Sequence, residues 1–165
     1  MLHYFIDGYN LLFRLVPSKS SLEKQRKQVM VLLNEEISSL SLNATIVFDS
    51  SERGRPESVR GHFDALEMVF TTKEQTADAY IVKEIENSPH PQQEVVVTSD
   101  RELANRCRQL GSKAQSIEDF LAWLLKKKKQ KKKRLTTRTF KDSDRELMRL
   151  LEIFEKRFRE GEESQ

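Results

Sequence analysis

The stretch VVVTSDREL (Val95–Leu103) decides how this chain folds. Three valines and a threonine in succession are apolar on both sides of the backbone, and a strand of that kind is covered on both faces. Ser99 and Glu102 then carry the capping-box signature of a helix start. Leu103, Ala104, Cys107 and Leu110 follow at helical steps. A buried strand that runs straight into an amphipathic helix is the repeating unit of a parallel α/β sheet. The pentapeptide SDREL returns at Ser143–Leu147, after TFKD and without a strand. Both copies are expected to start helices. Asp100 stands at a strand end, whereas Asp144 is a first-turn acid favoured by the helix dipole.

Outward from this unit the same alternation continues. Leu2–Ile6, Ala44–Phe48, Ala65–Phe70 and, weakly, the segment around Ala114 read as further strands. Helical periodicity covers Ser20–Leu40, Gln75–Glu86, Asp100–Leu110 and Ile117–Leu125. Ser50–Phe63, with its glycines, proline and arginines, reads as a long polar loop, and Asn87–Gln93 as a plain connector. The expected fold is a three-layer α/β/α sandwich around a parallel sheet of about five strands. Leu147, Leu150, Leu151, Phe154 and Phe158 predict one more amphipathic helix near the end.

A chain of 165 residues can bury one core of ordinary size. No apolar run is long enough to cross a membrane. The first residues carry no basic cluster and reach an acid at Asp7, which argues against a secretory signal. Cys107 is the single cysteine, so no internal disulfide is possible, and a cytoplasmic protein is expected. Flanked by Arg106 and Arg108, it reads as a packed thiol rather than a nucleophile. The net charge of +3 hides a division: residues 1–125 are net −4, residues 126–134 (KKKKQKKKR) are +8, and residues 135–165 are −1. Two parts are therefore expected, a domain over 1–125 and a lysine-rich segment with its helix over 126–165.

In open parallel sheets, sites form outside the carboxyl ends of the strands. Asp7 follows HYFI, Asp49 follows TIVF, Asp100 follows VVVTS, and Asp78 lies in the first helical turn after the strand ending at Phe70. Neighbouring strands are about 4.8 Å apart, so carboxylates at their ends can converge. Gathered carboxylates repel one another unless a proton or a cation intervenes. All-oxygen ligands without Cys or His favour Mg²⁺ or Mn²⁺, an ion that polarises a phosphodiester and activates water for its hydrolysis. Asn10, one helical turn beyond Asp7, can face the same cleft. Each acid also has a plainer reading: Asp100 as a first-turn acid and Asp49, which heads DSSERG, as an Asx turn, while Asp78 and Asp7 are harder to read that way.

FIDGYNLL (Phe5–Leu12), VFDS (Val47–Ser50), TADAYI (Thr76–Ile81) and VVTSDREL (Val96–Leu103), in that order, resemble the NYN domain, and most closely its bacterial YacP-type branch within the PIN-like nuclease superfamily. The resemblance runs over roughly Met1–Leu125. It implies a sheet order of 3-2-1-4-5 and a divalent-metal endoribonuclease. Asp7, Asp78 and Asp100 would bind the metal, with Asn10 as their polar companion and Asp49 or Asp119 as a fourth acid. It also implies messenger RNA as substrate, in association with the ribosome.

An acidic cleft repels RNA, so affinity must come from basic groups. Lys126, Lys127, Lys128, Lys129, Lys131, Lys132, Lys133 and Arg134 form the densest cluster, and displacing counterions from phosphates would make binding salt-dependent. Arg53, Arg55 and Arg60 in the long loop are the second group. The bland alternative for the lysine run is a solvated, self-repelling linker. Phe120 and Trp123 read as core. A non-catalytic RNA- or ribosome-binding module on the same fold is the competing function. A haloacid-dehalogenase-type phosphatase is disfavoured because Tyr9 stands where that chemistry needs a second Asp, and a dinucleotide site because DGYN replaces a glycine-rich loop.

Overall fold

The computed structural model describes residues 1–15, 21–50 and 59–134, together with residue 152, and for Val59 and residues 132–134 the backbone alone. Along the described chain lie β1 (His3–Asp7), α1 (Gly8–Leu15), α2 (Leu22–Ser39), β2 (Asn43–Phe48), β3 (Val59–Phe63), β4 (Leu66–Phe70), α3 (Ala77–Asn87), β5 (Glu94–Val97), α4 (Arg101–Gln109), β6 (Lys113–Gln115) and α5 (Ile117–Arg134). They build one six-stranded sheet of order β3-β4-β2-β1-β5-β6. All neighbours pair parallel except β3 with β4. Without β3 the order along the chain is third, second, first, fourth, fifth, the arrangement the resemblance implies.

The continuous apolar runs are explained by the two layers they face. Tyr4, Ile6, Ala44, Ile46, Phe48, Val95 and Val97 pack with residues of α1, α2 and α5. Phe5, Val47, Val69 and Val96 point the other way, onto Ala77, Tyr80, Ile81, Ile85, Leu103 and Cys107 of α3 and α4. Full burial of each large aliphatic or aromatic side chain contributes about 1.5–3 kcal/mol. Cys107 is fully buried among them, and burial pushes its thiol up to about 11, so it is core and not a nucleophile. Phe120 and Trp123 stack with Tyr4 as part of the first layer.

The structure corrects the expected five strands to six. β3 lies inside the segment read as a loop, where VRGHF has neither a continuous apolar run nor a clean alternation. It is an antiparallel edge strand, and its turn is held from α2: the Asn34 side-chain oxygen accepts from the Ala65 and Leu66 N–H groups at 3.0 and 3.2 Å. Asp64 in that turn is left-handed, with φ 57°.

The lysine run is not a linker over its described part. The helix expected to end at Leu125 continues to Arg134. Leu121, Leu124, Lys128 and Lys131 recur at steps of three and four, one face of a helix. Lys128 pairs with the buried Glu36 of α2 at 2.8 Å. The Lys131 ammonium reaches the Ser39 hydroxyl at 3.0 Å and the Ser39 carbonyl. A cation at the last carbonyls of α2 is favoured by the helix dipole. The second SDREL copy and the amphipathic pattern from Leu147 to Phe158 lie outside the described residues.

Candidate active site

β1, β2 and β5 all end at one edge of the sheet, and the helices that leave this edge begin there. Each of three helix starts is held by an acid. The Asp7 carboxylate takes up the backbone N–H of Asn10 in the first turn of α1. Asp49, just past β2, reaches across to the first residue of α3 and accepts from the Ala77 N–H at 2.5 Å. Asp100 caps α4, accepting from the Glu102 and Leu103 N–H groups at 2.9 and 3.3 Å. Asp78 sits in the first turn of α3, behind the Thr76 cap. The positive ends of three helices thus converge where the acids converge, which makes the concentration of negative charge tolerable.

The capping box expected from Ser99 and Glu102 is not what forms. Asp100 caps α4, because a charged carboxylate is the stronger acceptor for the N–H groups of the first turn. Ser99 is released to tie other elements together. Its N–H donates to the Asn10 side-chain oxygen at 2.8 Å, and its hydroxyl donates to Glu118 of α5 at 3.0 Å. Glu118 also holds Arg14 at the end of α1. Thr98 fills the centre: its hydroxyl donates to Asp7 at 3.2 Å and accepts the Asp100 N–H at 3.1 Å.

The acids feel one another. Burial, then the charge of Asp78, pushes the Asp7 carboxyl up to about 6, against the Thr98 hydroxyl and the Asn10 N–H, which favour its ionised form. Asp78 is also raised: by burial first, then by the charges of Asp100 and Asp49, and by a hydrogen bond to Asp100 that needs Asp78 protonated. Arg106 of α4 opposes that shift. Asp7, Asp78 and Asp100 therefore form a coupled series, and Asp49 acts on both Asp7 and Asp78. Of the two candidates for a fourth acid, Asp49 is among these charges and Asp119 is not. The donors are hard oxygens of the kind a small divalent cation takes. Among the described residues, however, no three His, Cys, Asp or Glu side chains stand as a ready shell for an ion.

Gly8 is required for this edge to close. A Cβ there would lie 2.5 Å from the Phe48 ring and 2.7 Å from the Val47 carbonyl oxygen, and backbone cannot give way as a flexible side chain can. The glycine of the DGYN motif lets α1 leave β1 directly over the end of β2.

The expected RNA contacts are placed differently from one another. Arg60 lies on β3 with its guanidinium 2.6 Å from the Tyr80 hydroxyl and 3.3 Å from Glu84, with Glu67 at 4.0 Å, so its charge is offset. Lys128 and Lys131 face α2, whereas Lys127 and Lys129 are exposed and Lys126 is on their side of α5. Arg53 and Arg55 fall outside the described residues, as do the side chains of Lys132, Lys133 and Arg134. Thr98, Ser99 and Glu118 were not among the expected site residues. Thr98, inside the TSD motif, reads in sequence as the end of a strand, and the choice between Glu118 and Asp119 depends on the phase of α5.

A model of the YacP-like NYN domain matches residues 4–160, further along the chain than the four motifs reach. No curated protein sequence matches the chain. Solved structures share the fold. The crystal structure of Rae1 (YacP) from Bacillus subtilis is 22% identical, with a TM-score of 0.62, and the match covers 98% of this chain and 93% of that one. A tryptophan-to-leucine mutant of the same protein is 21% identical, with a TM-score of 0.61 and coverage of 91% and 92%. The chain belongs to the family of YacP-like NYN domains, a family of nuclease-like fold.

Proposed function

We propose that this YacP-like NYN domain is an endoribonuclease that hydrolyses RNA phosphodiester bonds with Mg²⁺ or Mn²⁺. The observation that carries the reading is the electrostatic coupling of Asp7, Asp78 and Asp100 at three converging helix starts. Carboxylates close enough to raise one another's affinity for protons, as Asp7 and Asp78 are, suit a divalent cation that neutralises them. Asp7, Asp78 and Asp100 would hold the ion, with Asp49 as the fourth acid. The ion would supply Lewis acidity toward a phosphate oxygen and lower the pKa of the attacking water.

The chain's own residues do the rest. The Thr98 hydroxyl keeps Asp7 oriented and favours its charged form. The Asn10 side-chain oxygen is committed to the Ser99 N–H, which leaves the amide NH₂ as the donor for a phosphate oxygen. The converging helix N-termini favour an anion at the same place. Lys126, Lys127 and Lys129 on the exposed side of α5 would add sequence-independent attraction to the backbone. Messenger RNA engaged with the ribosome, in the cytoplasm, is the form of substrate that the family resemblance implies, and co-sedimentation with ribosomes tests it.

Cleavage of RNA in Mn²⁺, compared with Asp78→Asn and Asp100→Asn, tests the activity. The products should carry 5′-phosphate and 3′-hydroxyl ends. Each substitution should lower the rate at least about 100-fold, the scale of removing one electrostatic group from a site, while RNA binding persists. Equal cleavage by the variants removes the metal site. Binding without cleavage by the unmodified protein makes it a non-catalytic RNA-binding module.

A further inference from the structure

We infer that Phe13 and Tyr9 form a stacking platform for one unpaired nucleobase of the substrate, so that RNA reaches the acids as a single strand; the inference rests on the ribonuclease reading above. Among the described residues the exposed large apolar side chains are Met1, Leu2, Phe13 and Val31, and Phe13, 65% exposed, is the aromatic one. It lies over Tyr9 one helical turn earlier, with ring centroids 5.8 Å apart and planes 19° from parallel.

Tyr9 is fixed at its ring and at its hydroxyl. Its ring meets the Phe48 ring edge-on at 5.1 Å. Its hydroxyl accepts from the Arg26 guanidinium at 2.9 Å. Arg26 in turn lies 5.7 Å over the Phe70 ring, which stacks on Phe48. Buried Phe48 and half-buried Phe70 thus form the base that holds Tyr9, and Tyr9 holds Phe13 outward. No carboxylate among the described residues pairs with Arg26.

The placement connects the platform to the site. Tyr9 is two residues beyond Asp7 on the helix that Asp7 starts, and Phe13 is about 9 Å further along than Asp7 at 1.5 Å per residue. An aromatic face takes the part of the nucleotide that carries no charge and leaves the phosphates to the donors and the cation at the acids. Base–aromatic stacking does this and accepts every base. Arg26 beside the rings, with no carboxylate partner among the described residues, favours a polyanion over an apolar protein segment as occupant.

Affinity for a short 5′-labelled single-stranded RNA tests the platform, measured by fluorescence anisotropy in the Asp78→Asn background, with cleavage of the same RNA by the unmodified protein run in parallel. Phe13→Ala should weaken binding roughly tenfold, the scale of one base stack. Phe13→Leu should weaken it similarly, and Phe13→Trp should restore it. Thermal melting checks that the variants stay folded. An abasic ribose walked along the RNA should cost the same factor at one position with Phe13 present and nothing with Ala. Unchanged binding by Phe13→Ala overturns the platform, as does full binding by Phe13→Leu, which would mark a merely apolar contact or a protein-binding surface. If the protein cleaves RNA and Phe13→Ala binds normally, the platform alone falls. If it binds through Phe13 and does not cleave, the nuclease reading alone falls. If it neither binds nor cleaves, both fall.

Discussion

The Thr98 hydroxyl donates to the Asp7 carboxylate at 3.2 Å while accepting the N–H of Asp100, so one side chain sets the relation between two acids from different strands. Its bond to Asp7 favours the ionised form, as does the Asn10 N–H. Thr98→Val should push the Asp7 carboxyl above about 6. The acid limb of the pH–rate profile should move to higher pH, and the rate at neutral pH should fall several-fold. Thr98→Ser should behave like the parent. A pH–rate profile that does not move with Val would show that Asp7 ionisation does not limit the reaction.

Asp7 makes a second, opposite prediction for stability without metal. Its carboxyl titrates at about 6 in the folded protein against an ordinary 3.8. The folded state therefore binds the proton more tightly, and stability falls as pH rises from about 4 to about 6 and stays lower above that. A gap of that size corresponds to roughly 3 kcal/mol. In chelator at pH 7.5, Asp7→Asn should be more stable than the parent by about 1–3 kcal/mol in urea denaturation, and the difference should vanish near pH 4. Adding Mn²⁺ should stabilise the parent and leave the variant unchanged. A variant less stable than the parent at pH 7.5 would show that burial and the neighbouring charges impose no such cost on ionised Asp7.

Gly8→Ala should be damaging although it adds one methyl group. The new Cβ meets the Val47 carbonyl at 2.7 Å as well as the Phe48 ring, so α1 must shift away from β2. Overpacking of this kind costs about 1–3 kcal/mol. Activity should fall further than stability, because Asp7 and Asn10 move with the helix start. Wild-type activity in a folded Gly8→Ala protein would contradict the close approach.

The lysines of α5 should separate into two groups. Lys128→Ala removes the ammonium partner of the buried Glu36 and should destabilise the fold by about 3 kcal/mol, with RNA affinity at matched folded fraction unchanged. Replacing Lys126, Lys127 and Lys129 together should leave stability within about 0.5 kcal/mol. That triple variant should weaken RNA binding and flatten its dependence on salt. Denaturation and salt titrations read the two effects independently.

The sheet was legible because both its faces are covered: strands such as VVVT and ATIVF carry apolar residues facing both ways, and helices fall between them. β3 was not, since an edge strand with Arg60, Gly61 and His62 carries no such pattern and exists through its pairing with β4 and the hold of Asn34 on its turn. Asp7 and Asp100 could be placed at one edge from strand ends, and Asp78 from the helical turn that follows the strand ending at Phe70. Their partners could not. That Ser99 serves Asn10 and Glu118 rather than its own helix depends on three elements meeting, which no local spacing encodes. The same holds for Lys128 and Lys131, which look like part of a uniform cationic run until α2 is laid beside them.

The use of acids as helix caps has a consequence for how such a domain could lose its activity over evolutionary time. Asp100 and Asp49 anchor the first turns of α4 and α3, so a lineage freed from catalysis would still be selected to keep a short polar acceptor there. Asn or Ser at these positions would mark such a retired copy, with the scaffold intact and the charge gone. Alanine would mark a damaged one.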